Sequence, residues 1–192
     1  MSESTVRTRR WSRLEYESMI EKAVFGPDER LELLGGDLVV REPQGGPNAF
    51  AIERTTKALL TAFESTWRVR VQLPIALDED SEPEPDVSVV AGPLEGAPPE
   101  LPSHAVLVVE VADSTLAGDR KYKASLYARA RVPEYWIVNL VERALEVYRD
   151  PRPDVSASYG WAYRSVQSLS VGEHVSPLSA PTARVPVLDL LP

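Results

Sequence analysis

Residues 105–112 read Ala-Val-Leu-Val-Val-Glu-Val-Ala, an apolar, β-branched run interrupted by one carboxylate, Glu110. A strand with one solvated face would alternate polar and apolar residues. A run this uniform predicts a strand covered on both faces, deep in a sheet. The spacing downstream predicts a helix over 119–131 and a strand over 135–138, which completes a β-α-β unit. The expected fold is therefore α/β, a mixed central sheet flanked by helices.

The rest of the chain adds to that frame. Ser12 and Glu15 form a capping-box pattern before Leu14, Met19, Ile20 and Ala23, predicting a short amphipathic helix that ends ahead of Gly26. Arg30–Leu34 and Asp37–Val40 flank Gly35-Gly36 and read as a β-hairpin. A second helix is expected over 48–64, with Ile52, Leu59 and Phe63 on its apolar side, then strands over 69–77 and 87–90. The stretch 92–102 carries four prolines and reads as a surface loop. Residues 144–148 are expected to pair with the strand over 135–138 through a turn at Glu142-Arg143. The whole is read as one domain over 1–192. Its core spans about 31–148, with a helical extension over 1–30 and an irregular β tail over 149–192.

Chemistry enters with the buried acid. An ionised carboxylate is costly to bury alone, so Glu110 needs a positive group facing it. By strand alternation Glu110 shares a side with Val108, and Asp86 shares one with Ser88. If their strands are neighbours, the two carboxylates converge at one end of the sheet. The alternative is a buried salt bridge from Glu110 to an arginine, with Asp86 capping a turn after Pro85. On the following helix, about 100° per residue puts Tyr122, Leu126, Tyr127 and Ala130 in one stripe, with Asp119 and Lys123 inside it and Lys121 opposite. Lys123 is thus expected to point inward, toward Glu110, and its removal to leave the fold intact. Two carboxylates with a strand carbonyl suit Mg2+ or Mn2+, hard cations that can activate water against a phosphodiester.

Composition narrows the alternatives. The chain has no cysteine and two histidines, His104 and His174, which excludes disulfides, thiolate nucleophiles and cysteine- or histidine-rich metal sites. No apolar run approaches a membrane-spanning length and no secretory signal opens the chain, so a cytoplasmic location without membrane contact is expected. The net charge of −8 weighs against simple electrostatic attraction to nucleic acid. Basic residues do cluster locally, at Arg7, Arg9, Arg10 and Arg13, at Arg68 and Arg70, and over 120–131; the first cluster reads most simply as solvated surface.

Several segments in order, Glu32–Val40, Pro83-Glu84-Pro85-Asp86-Val87, Val108-Val109-Glu110-Val111, Asp119 with Lys123 and Tyr127, and Val132–Val138, resemble the bacterial Uma-two family. That family is grouped with restriction endonucleases in the PD-(D/E)XK superfamily, with the lysine displaced from strand to helix. The resemblance covers about 31–148. It implies a restriction-endonuclease-like fold and a divalent-metal-dependent endonuclease hydrolysing DNA phosphodiester bonds. It also implies Asp86 and Glu110 as metal-binding acids, Lys123 as the catalytic lysine, the Val111 carbonyl as a further metal ligand and Glu32 as an additional acid. Nucleic acid, most simply DNA, is the implied partner, and a homodimer an implied assembly. One position departs from the family pattern: Asn48 follows Gly46-Pro47 where a histidine is usual. A non-catalytic module that binds nucleic acid or protein, with the same charges locked in ion pairs, is the rival expectation.

Overall fold

The computed structural model describes residues 8–26, 28–41, 43–96 and 100–192. Ser12 and Glu15 close the capping box reciprocally, each side chain accepting from the other's amide, and start helix α1 at Arg13–Glu21. The buried face of α1 is not the expected one. Leu14 and Ile20 are exposed, whereas Tyr16 is buried and its hydroxyl donates to the Leu31 carbonyl at 2.8 Å. A ring with a polar tip can fill the contact and satisfy a strand-end acceptor at once, which leucine cannot.

Strands β1 (Leu31–Leu34) and β2 (Asp37–Val40) pair antiparallel. Gly35 and Gly36 both take positive φ, +58° and +84°, as a two-residue hairpin turn requires. Helix α2 (Gly46–Ala62) starts two residues earlier than expected, because Pro47 occupies the first turn, where its missing N–H costs nothing. Strand β3 (Trp67–Val71) ends well short of residue 77. Gln72 turns with φ +50° and Pro74 lacks the donor needed to continue a ladder.

Then come β4 (Val87–Ala91), β5 (Leu107–Ala112) and the helical segment α3, in which an α turn Leu116–Gly118, a π turn Asp119–Lys123 and an α segment Ala124–Arg129 follow without a break. Strands β6 (Glu134–Asn139), β7 (Ala144–Pro153) and β8 (Trp161–Ser170) complete a six-stranded sheet of order β3-β4-β5-β6-β7-β8. All its pairs are antiparallel except β5–β6, whose parallel register demands the α3 crossover. Every residue of β5 and β6 is buried, as the apolar run at 105–112 foretells.

One sheet face, including Val89, Val109, Val111, Trp136 and Val138, packs with Ile52 and Leu59 of α2. The other, including Val108, Ile137 and Tyr135, packs with Leu126 and Tyr127 of α3. The tail departs most from expectation. Regular strand runs further into 149–192 than an irregular tail implies: β7 continues through Pro151-Arg152-Pro153, and β8 is a full strand of the sheet, while 154–160 and 176–184 carry no strand. Strands β9 (His174–Val175) and β10 (Val185–Pro186) then lead to a 3-10 turn, Val187–Leu190, where Val187, Leu190 and Leu191 join the α2-side core. The expected loop over 92–102 lies partly outside the described residues, and its described part carries neither helix nor strand.

Candidate active site

Val87 pairs with Val109 across β4 and β5, so one step further along the ladder Asp86 stands opposite Glu110. The two strands are neighbours, and the carboxylates meet at one end of the sheet. The Val111 amide donates to Asp86 Oδ2 at 2.9 Å, and the Asp86 amide approaches Glu110 Oε2 at 3.4 Å. Both acids are at most 5% exposed.

The cation facing Glu110 is Lys123, not an arginine. Its Nζ lies 2.9 Å from Glu110 Oε1 and 3.3 Å from Glu32 Oε2, and the Tyr127 hydroxyl donates to Glu110 Oε1 at 2.7 Å. Lys123 thus points inward, and Lys121 points out, its ammonium 4.9 Å from the Tyr122 ring centroid. Tyr122 corrects the helical stripe. It lies 47% exposed, while Leu126 and Tyr127 are buried. The π turn takes up an extra residue per turn, so the stripe beyond it is rotated relative to the residues before it.

Five of the five expected positions, Glu32, Asp86, Glu110, Val111 and Lys123, line one cavity of about 710 Å³. Arg41 was not anticipated. Its guanidinium contacts Glu32 at 2.9 Å, Glu84 at 2.6 Å and Asp86 at 3.8 Å. A signal for it existed: Glu32 interrupts an apolar strand as Glu110 does, and the hairpin register pairs Glu32 with Val39, placing Arg41 on the diagonal. Two amides were also missed. Gln44 donates to Asp86 Oδ1 and Asn48 to the Val111 carbonyl, each at 2.8 Å. Asn48, at the position that departs from the family pattern, therefore touches the site directly. Asp119, buried beneath the same cavity, accepts from the Thr115 hydroxyl at 2.7 Å. Of the basic cluster near the N-terminus, Arg7 lies outside the described residues, Arg9 and Arg13 pair with Glu15 and Glu17, and Arg10 donates to the Gly35 carbonyl.

Four buried carboxylates, Glu32, Asp86, Glu110 and Asp119, thus share the floor with two cations, Lys123 and Arg41. The surplus of negative charge is felt. Burial, and then the Glu110 charge, push Asp86 up to about 6 and Asp119 up to about 7. Burial also raises Glu32, against the pull of Lys123. For Lys123, burial works against the charged form, yet Glu110 and Glu32 more than offset it and hold its pKa above the ordinary lysine value.

A hard divalent cation fits this donor set. It would match the charge surplus, and Asn48 Oδ1 is buried without a hydrogen-bond donor. Among the described residues no three His, Cys, Asp or Glu side chains converge as a metal needs, so the Val111 carbonyl would have to join the carboxylates. That carbonyl and Asp86 Oδ1 already accept amide donors, although each oxygen has a second lone pair.

A six-stranded mixed sheet whose central strands bring two acids to one end, against a lysine from the crossover helix, defines a restriction-endonuclease-like α/β protein. Residues 14–185 match the model of the Uma2 family, described as "Putative restriction endonuclease", and the chain belongs to that family. Among solved structures it is similar to a "putative nuclease belonging to DUF820" from Anabaena variabilis. The TM-score is 0.65 at 14% identity over 90% of this chain and 96% of that one, a likeness of fold. Comparison with curated proteins gives no match.

Proposed function

We propose that the protein is a divalent-metal-dependent endonuclease acting on nucleic acid, most simply DNA, with its chemistry on the cavity floor. The observation that carries this reading is the apposition of Asp86 and Glu110 across β4 and β5 with the Lys123 ammonium 2.9 Å from Glu110. In it, Asp86, Glu110 and the Val111 carbonyl would hold Mg2+ or Mn2+. The ion, when bound, would supply charge neutralisation at the phosphoryl oxygens and a bound water of lowered pKa. Lys123, held between two carboxylates, keeps a proton throughout and offers a fixed positive charge where the phosphorane gains negative charge. Tyr127 orients the Glu110 carboxylate from below, and Arg41 restrains Glu32 and Asp86 from the hairpin side. A cytoplasmic setting fits a chain without cysteine.

One observation favours the non-catalytic reading: Gln44 and Asn48 already occupy Asp86 Oδ1 and the Val111 carbonyl, as in a closed structural network. The two readings separate in one experiment. Nicking of supercoiled plasmid in Mn2+ is measured for the wild type, Glu110→Gln and Lys123→Met, with folding checked by circular dichroism. The nuclease reading expects nicking by the wild type and loss of at least a hundredfold in either variant. Equal nicking by all three, or none from the wild type across Mg2+ and Mn2+, supports the rival.

A further inference from the structure

The floor of the cavity and its rim are built from different chemistry. The acids are at most 5% exposed, while the rim presents Val39 at 40%, Val40 at 64% and Tyr122 at 47%. A protein that grips an intact duplex meets phosphates on the outside of a wide cylinder, and does so with a basic rim. Here the cations nearest the floor, Arg41 and Lys123, are already engaged by carboxylates. A volume of about 710 Å³ lies in the range of small-ligand clefts, room for a few unpaired residues. Tyr122 is the anomaly in this rim. It stands half-exposed on a helix whose Leu126 and Tyr127 are fully buried, within a π turn, a feature concentrated at functional sites. Lys121 Nζ lies over one face of its ring, 4.9 Å from the centroid, so a base stacked on the other face would sit beside an ammonium that can meet its phosphate.

We infer that the cavity takes an unpaired strand, single-stranded or locally extruded from a duplex, with one base stacked on Tyr122, and that it does not accept an intact duplex. The inference rests on the nuclease reading for the identity of the ligand, but not on turnover. Stacking on an aromatic ring tolerates any base and needs little net positive charge, which suits an acidic chain.

Fluorescence anisotropy with a labelled single-stranded oligothymidylate and with a blunt duplex tests it. Ca2+ takes the place of Mg2+, so that an oxygen site is filled and binding is read apart from cleavage. The single strand should bind at least about tenfold tighter than the duplex. Tyr122→Ala and Tyr122→Leu should each weaken it about tenfold, within the range of one lost base stack, while Tyr122→Phe retains it. Lys121→Gln should make the salt dependence shallower by about 0.7 in log–log slope, one phosphate contact. Melting temperatures confirm folding, and because Tyr122 is half-exposed the leucine variant keeps the test open if alanine perturbs the helix. Duplex binding as tight as single-strand binding overturns the inference, as does single-strand affinity unchanged in both folded Tyr122 variants. Tyr122-dependent binding without nicking in Mn2+ supports the inference and sinks catalysis, whereas no binding of either probe overturns the inference together with the nucleic-acid reading.

Discussion

Replacing Lys123 with methionine is the perturbation whose size the geometry defines best, and it reverses the expectation that losing this lysine leaves the fold intact. The ammonium bridges Glu110 at 2.9 Å and Glu32 at 3.3 Å. Without it Glu32 still has Arg41 at 2.9 Å, but Glu110 is left with the Tyr127 hydroxyl as its side-chain donor. Removing one partner of a buried pair costs about 3–5 kcal/mol, because the survivor remains charged in a poorly solvated place. The loss of stability in Lys123→Met should therefore be about 3–5 kcal/mol, and adding Glu110→Gln to it should return more than half, because the stranded charge goes with it. Urea denaturation of the wild type and both variants at neutral pH measures it. A double variant as unstable as Lys123→Met alone would refute the reasoning, because it would mean that the lysine acts through packing and not through the charge it neutralises.

The raised pKa values of Asp86 and Asp119, about 6 and about 7 against 3.8, carry a definite sign: their contribution to stability is complete below 3.8 and is lost as pH rises through the folded values. In thermal melts Mg2+ should flatten this fall, and Asp119→Asn should lack its share of it; a fall identical with and without Mg2+ and in the variant would count against the charge surplus. Glu134, fully buried, accepts from Trp136 Nε1, Arg149 and the Leu178 amide, so it ties the tail to β6. Arg149→Met should cost about 3–5 kcal/mol by urea denaturation, and a loss below about 1 kcal/mol would contradict that role. A chain ending at Tyr148 loses β8 and the buried Val187, Leu190 and Leu191, at about 1.5–3 kcal/mol each, so calorimetry should find no cooperative transition in it.

Much of this site was legible because burial obeys short rules. Strand alternation brought Asp86 and Glu110 together on the condition that their strands are neighbours, a charge inside an apolar run announced a partner, and helical spacing turned Lys123 in and Lys121 out. What escaped depends on contacts between distant segments. Tyr16 displaced Leu14 and Ile20 from the α1 contact because a carbonyl on β1 required a donor. Tyr122 left the apolar stripe because a π turn breaks the assumed period. The tail seemed irregular because Pro151 and Pro153 looked like strand breakers. They are tolerated where β7 has run past its pairing with β6, which ends at Arg149, and is bonded to β8 alone. Gln44 carried no signal, since an exposed loop amide can bond anywhere, and Asn48, in the first turn of α2, stood out only as a departure from the family pattern.

The rule that makes Glu110 visible is also the one that makes its meaning ambiguous. A buried carboxylate needs a positive partner whether it serves a reaction or only a fold, so the Lys123 contact fits both. The balance of charge is less neutral. An ion-pair network selected for stability alone gains nothing from carrying four buried acids on two cations, and the upward displacement of Asp86 and Asp119 is the cost of doing so. Nor does it gain from leaving Asn48 Oδ1 without a donor, or from lining an open cavity when it could fill it. A site meant to receive a divalent cation has to be short of positive charge until the cation arrives. The surplus is therefore what separates the two readings, and a cation that removes the pH-dependent loss of stability would identify these acids as metal ligands even before any substrate is found.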